Sequence, residues 1–200
     1  MKILYFLLPL FLFSCISKSD QPLPILGEKI IEGKDTIYHT IPDFSFINQN
    51  GDTITPATFQ YKIYIVDFFF TSCPTICPLV KAQMLRIYEK FENDDRVVLL
   101  SHSIDPKRDT PEKLNEYATN LGISAPKWHL VTGEKEKIYG IASAYFSIAL
   151  EDESAPGGFD HSGRLILVDQ NKRVRSFCDG TDAKSVDQFI KDIQNLLDKG

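Results

Sequence analysis

The pattern of apolar and polar residues predicts a buried strand followed by a helix. Residues 61–70 (YKIYIVDFFF) form a nearly continuous apolar run, which is typical of a strand covered on both faces. From Leu79 to Phe91 the apolar residues recur at helical spacing. This periodicity predicts a helix whose buried face contains Leu79, Ala82, Leu85 and Tyr88.

The same kind of pattern continues along the chain. Asn50-Gly51 between two short apolar runs predicts a hairpin. The predicted strands are Phe44–Ile47, Thr53–Ile54, Val97–Ile104, Trp128–Val131, Leu165–Asp169 and Val174–Phe177, and the further helices are Thr110–Leu121, Glu134–Tyr145 and Ala183–Leu197. Buried strands that alternate with helices predict an α/β fold, with helices on both faces of one sheet.

The N-terminus has a different pattern. Met1 and Lys2 precede an apolar run, Ile3–Phe13, which is followed by Ser14, Cys15 and a polar stretch. This order is typical of a secretory signal, and the run is shorter than the roughly 20 residues of a membrane-spanning helix. Because it ends in Leu-Phe-Ser-Cys, the segment resembles a bacterial lipoprotein signal, so we expect Cys15 to be lipidated. A plain cleaved signal is the alternative.

These patterns divide the chain into three parts. Residues 1–14 are the predicted signal peptide, residues 15–40 the lipidated cysteine and its tether, and residues 41–200 the folded domain. The expected location is therefore a membrane-anchored lipoprotein that faces the periplasm or the cell exterior.

Composition excludes several classes of protein. A chain of 200 residues suits a single domain, and its net charge of −5 argues against binding to nucleic acid. Its four cysteines are too few for a disulfide scaffold of this size. Each cysteine therefore needs its own explanation. Cys178 is predicted to be a partly buried free thiol, with an intermolecular disulfide or a resolving thiol as the alternative.

Two cysteines lie where chemistry is expected. Cys73 follows the buried strand and Cys77 lies at the start of the next helix, and sites in α/β sheets form beyond the carboxyl ends of strands. Residues four apart on a helix share one face, with Cβ atoms about 5–6 Å apart, which suits one soft metal ion and also permits a disulfide. The helix N-terminus favours thiolates. A structural zinc site would usually need four protein ligands.

A third ligand would have to come from another part of the chain. His161 lies in a glycine-rich loop, residues 157–163, just before a predicted strand, where it is either a ligand or a surface histidine. His102 is a weaker candidate, because a hydrogen-bonded core histidine explains it more simply. His39 and His129 are predicted to be structural.

The cysteine motif is accompanied by further recognisable motifs. Residues 66–78 (VDFFFTSCPTICP), 103–111 (SIDPKRDTP), 160–162 (DHS) and 167–169 (LVD) together resemble the SCO/SenC family, the thioredoxin-fold copper chaperones of cytochrome c oxidase assembly. The resemblance extends from about residue 41 to residue 199. It implies a thioredoxin-like SCO domain in which a central mixed sheet is flanked by helices and extended by an N-terminal β-hairpin.

The resemblance also implies a metal site. By motif, Cys73, Cys77 and His161 would bind one copper ion per chain, as Cu(I), Cu(II) or both. Thr75 stands where many family members have Asp, which removes a nearby negative charge.

Several acidic residues near these motifs are candidates for supporting roles. Asp67 lies where thioredoxins often have a buried acid that exchanges protons with the thiols, and Asp105 and Asp160 are candidates for orienting the histidine or its loops. Arg108 and Asp109 are expected to begin the next helix.

Two functions from different classes remain open. The first is a copper chaperone that delivers copper to the copper-bearing subunit of cytochrome c oxidase or to another acceptor, outside the cytoplasm. The second is a thiol–disulfide oxidoreductase that uses Cys73 and Cys77 to reduce partner cysteines, itself served by a thioredoxin-like reductant. Whether the protein is an enzyme is therefore not decided, although a reductase would not need His161.

A peroxiredoxin is the third class considered, because Cys73 is followed by Pro and Thr as in those enzymes. Peroxiredoxins place Pro and Thr or Ser seven and three residues before the cysteine. Val66 and Phe70 stand at these positions, so the peroxidase interpretation fails.

Overall fold

The computed structural model of the protein describes residues 21–199, so the predicted signal and Cys15 lie outside the described residues. In chain order the strands and α-helices are β1 (Lys29–Glu32), β2 (Asp35–Tyr38), β3 (Phe46–Asn48), β4 (Thr53–Ile54), β5 (Ile63–Phe69), α1 (Cys77–Lys90), β6 (Val97–Ser103), α2 (Pro111–Leu121), β7 (Trp128–Thr132), α3 (Lys135–Ala142), β8 (Ala149–Glu151), β9 (Phe159–His161), β10 (Arg164–Val168), β11 (Val174–Asp179) and α4 (Ala183–Lys199).

Seven of these strands form one mixed sheet in the order β11-β10-β5-β6-β7-β3-β4. Strands β5, β6 and β7 are parallel, whereas β10 and β3 run antiparallel to β5 and β7. The hairpin of β3 and β4 extends one edge. This is the predicted α/β architecture with its mixed sheet, flanking helices and N-terminal hairpin.

Every residue of β5 and β6 is buried, because helices cover both faces of the sheet at this point. Successive side chains of a strand point to opposite faces. The ring of Phe69 contacts Lys81 of α1, and that of Phe68 contacts Tyr145 in the 3-10 turn after α3. The unbroken apolar run of the sequence is thus explained by burial on two sides.

The structure does not bury the face of α1 that the apolar periodicity predicts. The helix buries Cys77, Val80, Lys81, Met84 and Ile87, while Leu79 is 55% exposed. A lysine lies on the inner face because an aspartate of β5 pairs with it there, which the apolar periodicity alone does not reveal.

Two strand pairs were not predicted. One, formed by β1 and β2, lies within the segment expected to be a tether, and just before it the amide of Leu26 donates to the carbonyl of Val174. The other pairs β8 with β9 outside the main sheet. No helix between residues 21 and 199 has the length and apolar character needed to cross a membrane.

Candidate metal centre

The two cysteines of the motif lie where the buried strand β5 leads into α1. Cys73 follows β5, and its amide donates to the carbonyl of Phe70 at 3.2 Å. Cys77 is the first residue of α1, where proline is tolerated in the first turn because the amides there have no partner within the helix. The chain from β5 into α1 therefore fixes both sulfur atoms at the carboxyl end of the sheet.

His161 comes from a separate part of the chain. It is the last residue of β9 and pairs with Ala149 of β8. Two residues later, Gly163 packs so closely that an added Cβ would lie 2.9 Å from Thr181 and 3.4 Å from Val80 of α1. The lack of a side chain at Gly163 thus lets the histidine loop approach the helix that begins at Cys77.

These three residues converge. Their ligand atoms all lie within 4.8 Å of one another, and Nε2 of His161 is 3.1 Å from Sγ of Cys77 and 3.9 Å from Sγ of Cys73. Among residues 21–199 no fourth His, Cys, Asp or Glu belongs to the group. The arrangement can hold one metal ion with three protein ligands.

The two thiols differ in acidity. Burial acts to raise the pKa of Cys73, but the backbone amides of Thr75 and Cys77 and the side chains of both residues outweigh it and hold the pKa below its ordinary value. The hydroxyl of Thr75 lies 3.7 Å from Sγ of Cys73. For Cys77, burial raises the pKa well above its ordinary value, assisted by the neighbouring Cys73. Cys73 is therefore the thiol that ionises first.

Burial also lowers the pKa of His161, against the opposing effect of Asp67 and Asp160. At neutral pH the imidazole of His161 is therefore neutral and the thiol of Cys77 is protonated. In that state, with the ring proton on Nδ1, the Cys77 S–H donates to Nε2 of His161 over the 3.1 Å contact. A metal ion bound here displaces that proton.

Similarity to known proteins agrees with this geometry. Residues 33–198 match the sequence model of the SCO1/SenC family. The chain belongs to this family. Among its curated relatives, the SCO1 protein homolog of Bacillus subtilis is 28% identical over 165 residues, which cover 81% of this chain and 85% of that protein.

Two solved structures of the SCO1/SenC family resemble this one over most of their length. A lipoprotein of this family from Bacillus anthracis is 27% identical and covers 79% of this chain and 95% of its own, with a TM-score of 0.72. Arabidopsis thaliana ScoI, solved with copper bound, is 29% identical and covers 76% of this chain and 97% of its own, with a TM-score of 0.64.

In this SCO1/SenC protein Asp67 is engaged in a buried ion pair. Lys81 donates to its carboxylate at 2.7 Å, and the side chains are 3% and 1% exposed for Lys81 and Asp67 respectively. Ser101 also donates to Asp67, and it accepts from Lys81 at 3.1 Å and from Nε1 of Trp128 at 2.8 Å. Among residues 21–199 the carboxylate is hydrogen-bonded to Lys81 and Ser101 and to neither thiol, so the proton-exchange role expected for Asp67 has no direct contact to support it.

The other two acidic candidates do not touch the histidine. Asp105 pairs with Arg108 at 3.0 Å, and its backbone carbonyl accepts from the amide of Asp109, so it orders its own loop. Asp160 is exposed on β9, one residue from His161 and therefore on the opposite side of the strand. Neither carboxylate forms a hydrogen bond to His161 within the described part of the chain.

The remaining histidines are structural. Nε2 of His39 donates to the carbonyl of Ala144, and Nδ1 of His129 accepts from Asn48. His102 lies in the core as expected, but neither of its ring nitrogens has a hydrogen-bond partner among residues 21–199, contrary to the prediction of a hydrogen-bonded histidine. It packs among aromatic rings instead, and burial lowers its pKa to about 3.

Cys178 lies on β11, away from the cluster. It is a buried free thiol, as predicted, and burial raises its pKa to about 12, assisted by Asp179 and Asp192.

Two residues next to the site, Asp109 and Gly157, are not among the site residues predicted from the sequence. Asp109 was expected to begin a helix, but α2 begins at Pro111 and Asp109 is buried in the preceding loop. Gly157 lies over the cysteine loop, where an added Cβ would approach Phe70 to 2.8 Å. The glycine-rich loop is the sequence signal for this residue, because glycine often marks a close approach or a positive φ, and the φ of Gly157 is +84°.

Proposed function

We propose that this protein binds one copper ion between Cys73, Cys77 and His161 and delivers it to a copper acceptor during cytochrome c oxidase assembly. The observation that supports this most directly is the convergence of two sulfurs and one imidazole nitrogen within 4.8 Å. Thiolate and imidazole ligands suit copper, with thiolates favouring Cu(I). The copper bound to the Arabidopsis relative is consistent with the proposal.

The chemistry of the donor set fits transfer better than storage. Copper is the cargo, and three ligands from two separate chain segments leave one side of the ion open to an incoming ligand of the acceptor. Structural zinc sites, by contrast, are closed by four protein ligands. Thr75, close to Cys73, supplies a neutral hydroxyl next to the first thiolate rather than a second negative charge.

We further propose that Cys15 carries the lipid that holds the protein at the outer face of a membrane, so that the domain meets its acceptor outside the cytoplasm. The support is the Leu-Phe-Ser-Cys sequence that ends at Cys15 and the lipoprotein nature of the Bacillus anthracis relative. Growth with radiolabelled palmitate should label the chain, and Cys15→Ser should abolish the label. A labelled Cys15→Ser variant would reject this site of attachment.

The test of the metal site is an anaerobic Cu(I) titration of the full-length, reduced chain in detergent, with a chromogenic Cu(I) chelator as competitor. We expect one copper per chain. Cys73→Ser and His161→Ala should each weaken binding by more than the roughly 10–100-fold that loss of an outer partner of a metal ligand costs. Cys178→Ser and His39→Ala are the matched controls and should bind as the parent does. Unchanged affinity in His161→Ala would contradict the site.

A second function is favoured by the difference between the two thiols. Cys73, whose pKa is the lower of the two, could attack a disulfide of a partner as its thiolate, forming a mixed disulfide with one partner sulfur and releasing the other as a thiolate. Cys77 would then attack the sulfur of Cys73, its proton passing to the departing partner thiolate. The partner gains two electrons and the Cys73–Cys77 disulfide forms. In the titration above, weak copper binding that needs only the cysteines would favour this function, because a reductase does not require His161.

A further inference from the structure

A buried carboxylate lies next to the cysteine loop and has no assigned role. Asp109 belongs to the motif Ser-Ile-Asp-Pro-Lys-Arg-Asp-Thr-Pro and lies between β6 and α2. It is 1% exposed, and no lysine or arginine of the described residues forms an ion pair with it. A buried carboxylate without a cation must be stabilised by hydrogen bonds.

Three such hydrogen bonds are present. The backbone amide of Thr71 donates to one carboxylate oxygen of Asp109 at 3.1 Å, and the hydroxyl of Ser103 donates to the same oxygen at 2.5 Å. The hydroxyl of Thr71 donates to the other oxygen at 2.5 Å. Hydrogen bonds to a charged group are stronger than neutral ones. Asp109 therefore holds both the backbone and the side chain of Thr71.

The position of these donors links Asp109 to the metal centre. Ser103 is the last residue of β6 and pairs with Phe69, the last residue of β5. Thr71 lies two residues after β5 and two residues before Cys73. One carboxylate thus joins the carboxyl ends of two neighbouring parallel strands at the point where the cysteine loop leaves the sheet.

We propose that Asp109 is a positioning residue for the metal centre, which acts through Thr71 to fix the turn that directs Cys73 toward Cys77 and His161. The inference rests on the proposed copper-binding function. If Thr71 is released, Cys73 no longer has a fixed place and must be ordered again each time a metal ion binds. That ordering reduces the affinity.

The test compares substitutions at the two ends of the sheet in the full-length, reduced chain. Thr71→Val removes the hydroxyl and keeps the shape, and Thr71→Ser restores the hydroxyl. Asp109→Ala removes the carboxylate. The matched control is Asp169→Ala, because Asp169 is also buried, accepts from the amides of Asn171 and Arg173, and lies after β10 at the opposite end of the sheet.

Two measurements are made on each variant. The first is Cu(I) affinity by chelator competition. The second, on the metal-free protein, is hydrogen–deuterium exchange of the amides in residues 70–78. We expect Thr71→Val and Asp109→Ala to weaken Cu(I) binding by about tenfold or more, the effect of one buried hydrogen bond, and to speed exchange in this loop. Thr71→Ser should match the parent in both measurements.

The outcomes separate three situations. If Thr71→Val changes neither Cu(I) affinity nor exchange, the positioning role is overturned. It is also overturned if Asp169→Ala loses as much affinity as Thr71→Val, because the loss would then reflect lower stability in general. If the parent protein itself fails to bind copper one-to-one, the proposed function fails. The exchange measurement then decides the positioning role alone: faster exchange in Thr71→Val but not in Asp169→Ala supports it, and equal exchange overturns it.

Discussion

The metal centre is built from two regions that the fold holds in very different ways. The cysteine arm, residues 71–81, leaves the central strand β5, enters α1 and is attached to the core by Asp109 and by the buried Lys81–Asp67 pair. The histidine arm, residues 148–163, contains the separate pair of β8 and β9. Its contacts with the rest of the protein include ring contacts of Phe159 and His161 with Phe70, a backbone hydrogen bond from Gly180 to Gly163 and an exposed ion pair of Glu151 with Lys135.

This difference predicts that a bound metal ion is released most easily on the side of the histidine arm. A region with few buried contacts moves at lower cost than one attached to the core. Ile148 and Leu150 of the histidine arm are 51% and 43% exposed, whereas the inner face of α1 is buried. Displacing His161 removes one ligand and leaves both sulfurs in place. The core fixes the thiol pair, and the histidine arm completes the site.

The largest expected effect comes from removing the buried ion pair of Lys81 with Asp67, which attaches the cysteine arm to the core. Lys81→Met leaves Asp67 as an unpaired charge in the core, which should lower the free energy of unfolding by about 3–5 kcal/mol. Urea denaturation followed by circular dichroism measures the loss. The double variant Asp67→Asn with Lys81→Met should recover more than half of it, because no charge is then left without a partner.

An exposed ion pair provides the control for that prediction. Lys172 pairs with Asp43 at 2.9 Å, with side chains 38% and 87% exposed. Lys172→Met should therefore cost less than about 1 kcal/mol. A similar small cost for Lys81→Met would show that the cysteine arm does not depend on the core pair.

The next test acts on the histidine arm through two neighbouring glycines. Gly157 and Gly158 have φ angles of +84° and +86°, which a side chain adopts at a cost of about 1–2 kcal/mol. An added Cβ at Gly157 would lie 2.8 Å from the ring of Phe70 and 3.2 Å from Pro74, whereas at Gly158 nothing lies within 4 Å. Gly157→Ala should therefore push the arm away from the cysteine loop, and Gly158→Ala should only add strain.

The measurement is again Cu(I) affinity, together with thermal unfolding. Both variants should lose the stability that the positive φ costs, and Gly157→Ala should lose more because of its clash with Phe70. Only Gly157→Ala should also lose affinity, by about tenfold for each 1.4 kcal/mol of lost contact. Equal affinities in the two variants would mean that the approach of Gly157 to Phe70 does not position His161.

The two arms also differ in how far the sequence predicts them. The apolar run of residues 61–70 and the helical spacing after it locate the thiols at the end of a buried strand, and the structure has them there. The buried face of α1 was mispredicted because Lys81 lies inside and Leu79 outside, and a pairing between distant residues leaves no trace in local periodicity. The same holds for Asp109, whose donors lie on two strands.

The histidine arm was less predictable for a different reason. Strands β8 and β9 have three residues each, which is too short for an alternating pattern to emerge. From its position in the chain alone, His161 was predicted to be either a metal ligand or a surface histidine. Only the resemblance of the neighbouring motifs to the SCO/SenC family favoured the ligand. Its approach to the thiols depends on Gly163 and on contacts between segments far apart in the chain.

The smallest expected effect is on the pH dependence of copper binding. It distinguishes the two arms, because we expect Cys77 but not His161 to release a proton when copper binds. Burial raises the pKa of Cys77, so its thiol is protonated at neutral pH and must release that proton when copper binds. Burial lowers the pKa of His161 from its ordinary value of 6.5, so the imidazole is already neutral above that pH. A proton released on binding makes affinity rise with pH, by about tenfold per pH unit for one proton.

Between pH 7 and 8 the parent protein should therefore bind Cu(I) at least about tenfold more tightly at the higher pH, as measured by chelator competition with the chelator's own pH dependence subtracted. His161→Ala should bind more weakly at both values but keep the same slope, because the imidazole has no proton to release. Cys77→Ser should reduce the slope by the one proton that Cys77 releases. If His161→Ala flattened it instead, the proton lost on binding would belong to the histidine arm, and the thiol of Cys77 would already be ionised in the metal-free protein.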